Sequence, residues 1–199
     1  MIIGVINIKG GVGKTTSSLA IATAAQRSGL SVTVVATAAQ GSATLWAQAA
    51  EDADDPIPFP VVSRNQAEIR RMRERRPDRN GELIVIDTPP NGSVVDEAIK
   101  TADFVVIPTL SSPIDLQQTM LTAAQCQDAG KDYAVLIVMA RKGTNALRAF
   151  RTAVEEYGAG IFDTEIPLRE DFKADFGHTF RSNLNGYEDV WNELRGELR

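Results

Sequence analysis

The sequence has one cysteine, Cys126, and one histidine, His178, among 199 residues. A lone thiol excludes an intrachain disulfide and any multi-cysteine metal or iron-sulfur site built by one subunit. Its place in a helical pattern reads as a buried or half-buried packing residue. His178, in "DFGHTF", reads as a surface or capping residue rather than a catalytic one. Basic side chains are outnumbered, 21 against 26 acidic, for a formal net charge of -5. Binding to nucleic acid or an anionic membrane would therefore need a local basic patch. No apolar run approaches the roughly 18 residues of a membrane span, and "MIIGVINIKGG" lacks the basic start and small-residue cleavage site of a signal peptide. The expectation is a cytoplasmic protein. With 43% hydrophobic residues the chain can bury a sizeable core, and its length suits one domain spanning 1–199.

Short β-branched runs stand at 2–8, 31–37, 58–62, 82–88, 103–109 and 133–140, separated by helical spacing at 14–28, 42–52, 64–76, 93–100, 115–129 and 145–157. The strands are continuously apolar rather than alternating, which implies burial on both faces. That pattern predicts an α/β fold: a doubly wound, mostly parallel sheet flanked by helices. In such sheets ligands bind beyond the carboxyl ends of the strands, so the chemistry should collect there.

The first strand runs into "KGGVGKTT" and then into a helix starting near Lys14. A strand, a glycine loop and a helix in that order are the context of a phosphate-binding loop. Gly10, Gly11 and Gly13 let the backbone amides around Val12 turn toward phosphate oxygens, and the helix N-terminus adds its positive dipole end. Lys14 can reach the β and γ phosphates, Thr15 stands where a hydroxyl would ligate Mg²⁺, and Thr16 can serve the α phosphate. The general pattern wants a glycine where Ile8 stands, so the loop is a variant. "ELIVIDTPP" places Asp87 at the end of a buried strand, where a carboxylate can hold a water of Mg²⁺. No N-K-x-D run of the kind that reads guanine is present, which favours adenine by absence.

"NIKGGVGKTT" resembles the deviant phosphate loop of the ParA/MinD superfamily of dimeric ATPases, and its form is most similar to ParA-type partition ATPases. The resemblance covers Met1 to about Leu116 well and continues loosely to about Arg169. It implies ATP or ADP with Mg²⁺ as cofactors, and a homodimer in which Lys9 crosses to the nucleotide of the partner subunit. A triphosphate between two such loops would meet a cation from each subunit, so hydrolysis would weaken the dimer. By the same resemblance Lys9, Lys14 and Asp87 serve catalysis and Thr15 and Asp87 the metal. The base would be held by Met139 and Arg141 and by Pro167, Leu168 and Arg169. "SSPIDL" at 111–116 also fits the family pattern, although Pro113 and Asp115 equally make an ordinary helix entrance.

One stretch departs from that pattern. ParA-type proteins are similar to "VVDxDPQGSATxW" where this chain reads "VVATAAQGSATLW", so Ala36, Ala38 and Ala39 replace two aspartates and a proline. The family aspartate expected at Ala38 orients attacking water near Mg²⁺, and a methyl group can neither accept a proton nor bind a hydrated cation. ATP binding with slow turnover is the expectation.

The resemblance implies a DNA segregation ATPase, nucleoid-associated, whose ATP dimer binds DNA without sequence preference and is released by a centromere-bound, ParB-like adaptor. Candidate phosphate contacts are Arg141, Lys142, Arg148, Arg151, Lys173, Arg181 and Arg195. The densest basic run, 68–79, spreads its arginines around a helix rather than along one stripe. The alternative is a MinD-like membrane switch, which needs an apolar and basic C-terminal helix. The tail "YEDVWNELRGELR" offers Val190, Trp191, Leu194 and Leu198 but also four acidic residues, so it is expected to pack on the core. A metallocluster carrier would need more cysteines. A small-molecule ligase would need a polar substrate constellation, and none stands out.

Overall fold

The computed structural model describes residues 1–37, 41–74, 81–169 and 175–197. Six parallel strands form one sheet: β1 (Ile2–Val5), β2 (Ser31–Ala36), β3 (Val61–Ser63), β4 (Glu82–Asp87), β5 (Phe104–Thr109) and β6 (Asp132–Ile137). Their spatial order is β3-β2-β4-β1-β5-β6: the chain passes from β1 to β2 and β3 at one edge, returns to insert β4 beside β1, and then crosses to β5 and β6 at the other edge. The helices are α1 (Lys14–Arg27), α2 (Ser42–Asp52), α3 (Gln66–Glu74), α4 (Ser93–Thr101), α5 (Pro113–Asp128), α6 (Asn145–Glu156) and α7 (Tyr187–Glu197). This is the predicted doubly wound α/β architecture. The central strands β1, β4 and β5 are buried almost throughout, as continuous apolar runs require when helices cover both faces.

Three strand ends differ from the sequence reading by three residues, the others by one residue or none. β1 stops at Val5 rather than residue 8 because the chain leaves the ladder: Ile8 N donates to Thr122 Oγ1 at 3.2 Å and Lys9 N to Asn7 Oδ1 at 2.9 Å. β3 begins at Val61, after Pro58 and Pro60, which have no amide hydrogen for a ladder. β6 ends at Ile137 rather than residue 140, and Met139 takes a left-handed backbone, φ 52°.

The basic run also changes character. Arg70 and Arg73 of α3 reach the buried Glu97 of α4 at 3.4 and 3.2 Å, pinning the two helices together. Arg75, Arg76 and Arg79 lie outside the described residues.

The tail packs as a helix. Tyr187, Val190, Trp191 and Leu194 fall at helical spacing on one face and are all buried, against α1 and the core around it. α1 is itself apolar and small around most of its circumference, with Leu19 to Ala25 buried, because the sheet covers one side and α7 the other. Hydrogen bonds fix the register: Ser17 and Tyr187 hydroxyls at 2.8 Å, Trp191 Nε1 to Ser28 Oγ at 3.0 Å, and Arg27 to the carbonyls of Phe180 and Arg181, both at 2.7 Å. Cys126 is buried in the core as expected, its thiol pushed up to about 12 by desolvation.

Candidate functional site

The glycine loop takes the shape its sequence requires. Gly11 and Gly13 have φ of 75° and 73°, a left-handed region that side chains other than glycine rarely adopt. Val12 between them is fully buried and anchors the loop to the core. Gly13 also caps α1, with no side chain bonded to the first turn and no acidic residue in it. The N-terminus of α2, at Gly41, is likewise without a side-chain cap or an acidic first turn. By contrast α5 begins with a complete capping box between Ser112 and Asp115, and α6 with Thr144 accepting from Leu147 N. α4 also lacks a side-chain cap at Gly92 but carries Asp96 in its first turn. The open ends of α1 and α2 face one cavity, and open N-termini attract anions.

That cavity has a volume of about 470 Å³ and lies at the carboxyl edge of the sheet. Gly10, Gly11, Gly13, Lys14, Thr15 and Thr16 form one wall. Ala36, Thr37, Gly41, Ser42 and Trp46 form a second, Asp87 to Pro90 the floor, and Phe176 the rim. Lys14 is buried, which lowers its pKa against the opposing pull of Asp87, and its Nζ donates to the Lys9 carbonyl at 2.7 Å. Asp87 is buried too. Desolvation raises its carboxyl to about 6, although hydrogen bonds from Thr15 and Ser18 and the charge of Lys14 act the other way. Thr15 Oγ1 lies 2.9 Å from Asp87 Oδ2, and Ser18 Oγ lies 3.2 Å from Oδ1. One hydroxyl and one carboxylate oxygen beside a glycine-loop cavity suit Mg²⁺, a hard cation that keeps several waters and commonly takes further ligands from substrate phosphates. Among the described residues no cluster of three His, Cys, Asp or Glu side chains could hold a metal without such help.

Lys9 behaves differently from Lys14. It does not line the cavity of its own chain; its ammonium pairs with Asp115 at the start of α5. Burial pushes Asp115 upward, but hydrogen bonds from Lys9 and Ser112 and the Lys9 charge together hold its carboxyl below the usual range. Asp115 is therefore a helix entrance and also the partner of Lys9.

The residues expected near a base are brought together in two adjacent segments. Ala140 N donates to Ile166 O at 2.8 Å and Leu168 N to Ala140 O at 3.1 Å, setting Met139 and Arg141 beside Pro167, Leu168 and Arg169. These segments stand apart from the lining of the phosphate cavity, although Val138 closely backs Gly13. Ala36 sits in register with Asp87 on the neighbouring strand, so a methyl group stands beside that carboxylate. Ala38 and Ala39 lie outside the described residues.

Arg141, Lys142 and Arg148 are exposed around the start of α6, and Arg181 and Arg195 are exposed elsewhere. Arg151 is engaged with Glu165 at 3.5 Å and the Phe162 carbonyl at 2.8 Å, and Lys173 lies outside the described residues. His178 is exposed beside Asp55, at 3.4 Å.

Sequence reading does not single out Ser18 or Phe176. Ser18 could have been found from its position three residues after Thr15, which puts both hydroxyls on one face of α1. Phe176 carries no local signal: it reaches the cavity beside Trp46, which makes tilted ring contacts with Phe176 and Phe180 at centroid distances of 5.4 and 5.3 Å.

Known proteins agree with this architecture. The chain is 31% identical over 170 residues to a protein of Gloeobacter kilaueensis named maintenance of carboxysome distribution protein A, covering 83% of this chain and 76% of that protein. It is 27% identical over 179 residues to the protein of the same name from Halothiobacillus neapolitanus, covering 86% of this chain and 81% of that protein. Cobyrinic acid a,c-diamide synthase from Mycobacterium smegmatis, solved with a bound ATP analogue and magnesium, shares the fold with a TM-score of 0.73 at 19% identity, over 100% of this chain and 95% of that one. The sequence model described as the CobQ/CobB/MinD/ParA nucleotide binding domain matches residues 3–179, nearly the whole chain, and the chain belongs to that family.

Proposed function

We propose that this protein is a one-domain, ATP-switched positioning ATPase of the ParA type, cytoplasmic and nucleoid-associated. Its ATP-bound homodimer holds DNA without sequence preference, and a ParB-like adaptor on the cargo releases it by stimulating hydrolysis. The observation that carries this reading is the division of labour between two lysines on one loop. Lys14 lines the cavity of its own chain, and Lys9 turns away from that cavity onto Asp115, from which a partner's nucleotide would recruit it. In the bound form Lys14 and the loop amides hold the phosphates, Thr15 and Asp87 the metal, and the segments at 139–141 and 167–169 the base. Bound Mg²⁺ supplies charge neutralisation at the phosphates.

Hydrolysis is slow in this reading, because Ala36 beside Asp87 and Ala38 further on supply no carboxylate for water. The cargo is a DNA replicon or, as the names of the two curated relatives suggest, a large body to be distributed. The exposed Arg141, Lys142 and Arg148 are the favoured phosphate contacts. A membrane-surface role is disfavoured, since the apolar face of α7 is buried on α1. No helix among the described residues is long and apolar enough to cross a membrane.

The test is binding to nonspecific DNA with ATP, with ADP and without nucleotide across a salt series, with dimerisation followed in parallel. ATP-dependent dimers whose DNA affinity falls steeply with salt are expected. ATP-dependent dimers that ignore DNA would refute the partition reading, and loss of every nucleotide effect on dimerisation would refute the role given to Lys9.

A further inference from the structure

Ser17 and Ser18 are consecutive, fully buried serines in the first turns of α1. A hydroxyl inside a helix ordinarily bonds the carbonyl four residues back. Thr23 of the same helix does so, donating to Leu19 O at 2.8 Å. Neither serine follows that habit. Ser17 meets Tyr187 of α7, and Ser18 turns the other way and donates to Asp87 Oδ1 at 3.2 Å. Thr15, one turn earlier on the same face, donates to the other oxygen, Oδ2. The carboxylate is thus held at both oxygens from one helix, which fixes its plane as well as its position. Thr15 borders the cavity and is the hydroxyl suited to a cation, whereas Ser18 is fully buried and is not among the lining residues.

We propose that Ser18 is a positioning residue for Asp87: from outside the cavity lining it orients the carboxylate toward the magnesium of a bound nucleotide. The proposal rests on the reading of the cavity as a Mg²⁺-nucleotide site. Groups that orient metal-binding side chains from behind change metal affinity by about 10- to 100-fold when removed. They leave alone whatever part of binding does not involve the metal.

The experiment is a calorimetric titration of ATP into the full chain, first in EDTA and then at a series of Mg²⁺ concentrations. The chains compared are the wild type, Ser18→Ala, Ser18→Cys and, as a control for a purely structural helix hydroxyl, Thr23→Ala. For Ser18→Ala, ATP affinity in EDTA stays at the wild-type value while the Mg²⁺ concentration giving half of the metal effect rises about 10-fold or more. Ser18→Cys keeps the volume but donates weakly, so it falls between the two. Thr23→Ala lowers thermal stability without moving the Mg²⁺ midpoint. If Ser18→Ala does not fold, Ser18→Cys decides the question. An unchanged Mg²⁺ midpoint with ATP binding intact would overturn the role of Ser18 alone, as would an equal loss in EDTA and in Mg²⁺. A wild type that binds no ATP under either condition would overturn the nucleotide reading of the cavity and the proposal with it.

Discussion

The glycine loop at residues 7–16 opens α1, whereas α7 at Tyr187–Glu197 packs along the side of the same helix, and the two are built on different principles. The loop takes its shape from glycine backbone freedom at the open N-terminus of α1. The C-terminal region is the reverse: apolar side chains, aromatic stacking and side-chain hydrogen bonds to distant parts of the chain. Adjacent serines mark the division, Ser18 facing Asp87 and the cavity, Ser17 facing Tyr187 and the tail. The difference teaches that ligand chemistry and stability are separable here, although one helix carries both.

The separation can be broken from either side. The largest effect is expected from Trp191→Ala in α7, since truncating a buried tryptophan costs about 3–5 kcal/mol. Trp191 is buried and bonded to Ser28, so the urea midpoint should fall steeply. ATP affinity of the fraction still folded should be unchanged; a specific loss of affinity would show that the tail shapes the cavity.

Next is Lys14→Ala, which should weaken ATP binding by about 100-fold, or about 2.7 kcal/mol, as expected when charge-assisted bonds to phosphate are lost. Thermal stability without nucleotide should hold or rise, because burial already lowers the Lys14 pKa and disfavours its charge. A large drop in stability would mean that the loop, like the tail, holds the fold.

The third prediction concerns Asp87 and pH. In the folded, metal-free chain its carboxyl sits at about 6, against about 4 in an unfolded chain. The folded state therefore binds the extra proton between those values, and this contribution to stability is lost as pH rises through about 6. Asp87→Asn has no such loss, so in EDTA it should exceed the wild type by about 3 kcal/mol above pH 6, with the gap closing near pH 4. Urea melts at several pH values decide this, and parallel stability curves for the two chains would sink it. The same variant should lose the Mg²⁺ effect on ATP binding, making Asp87 a residue kept for ligand chemistry at a cost in stability.

The sheet was legible because its strands are continuous apolar runs, and the loop because three glycines and Lys14 stand at fixed spacing after the first of them. Strand ends were less so: β1 ends early where Thr122 and Asn7 capture the backbone, contacts that no local pattern announces. The basic run at 68–79 shows in sequence only arginines spread around a helix, because the partner of Arg70 and Arg73, Glu97, is far along the chain.

The sequence by itself determined the phosphate loop, the parallel sheet and the replacement of two expected aspartates and a proline by Ala36, Ala38 and Ala39. These are written in backbone freedom, in hydrophobic pattern and in plain residue identity, all of them local properties. Only the tertiary structure decided that Lys9 rests on Asp115, that Ser18 shares Asp87 with Thr15, that Phe176 rims the cavity, and that the tail is bolted to α1 through Tyr187 and Trp191. Each of those contacts joins residues distant in sequence whose side chains meet only once the sheet has set the strands in order.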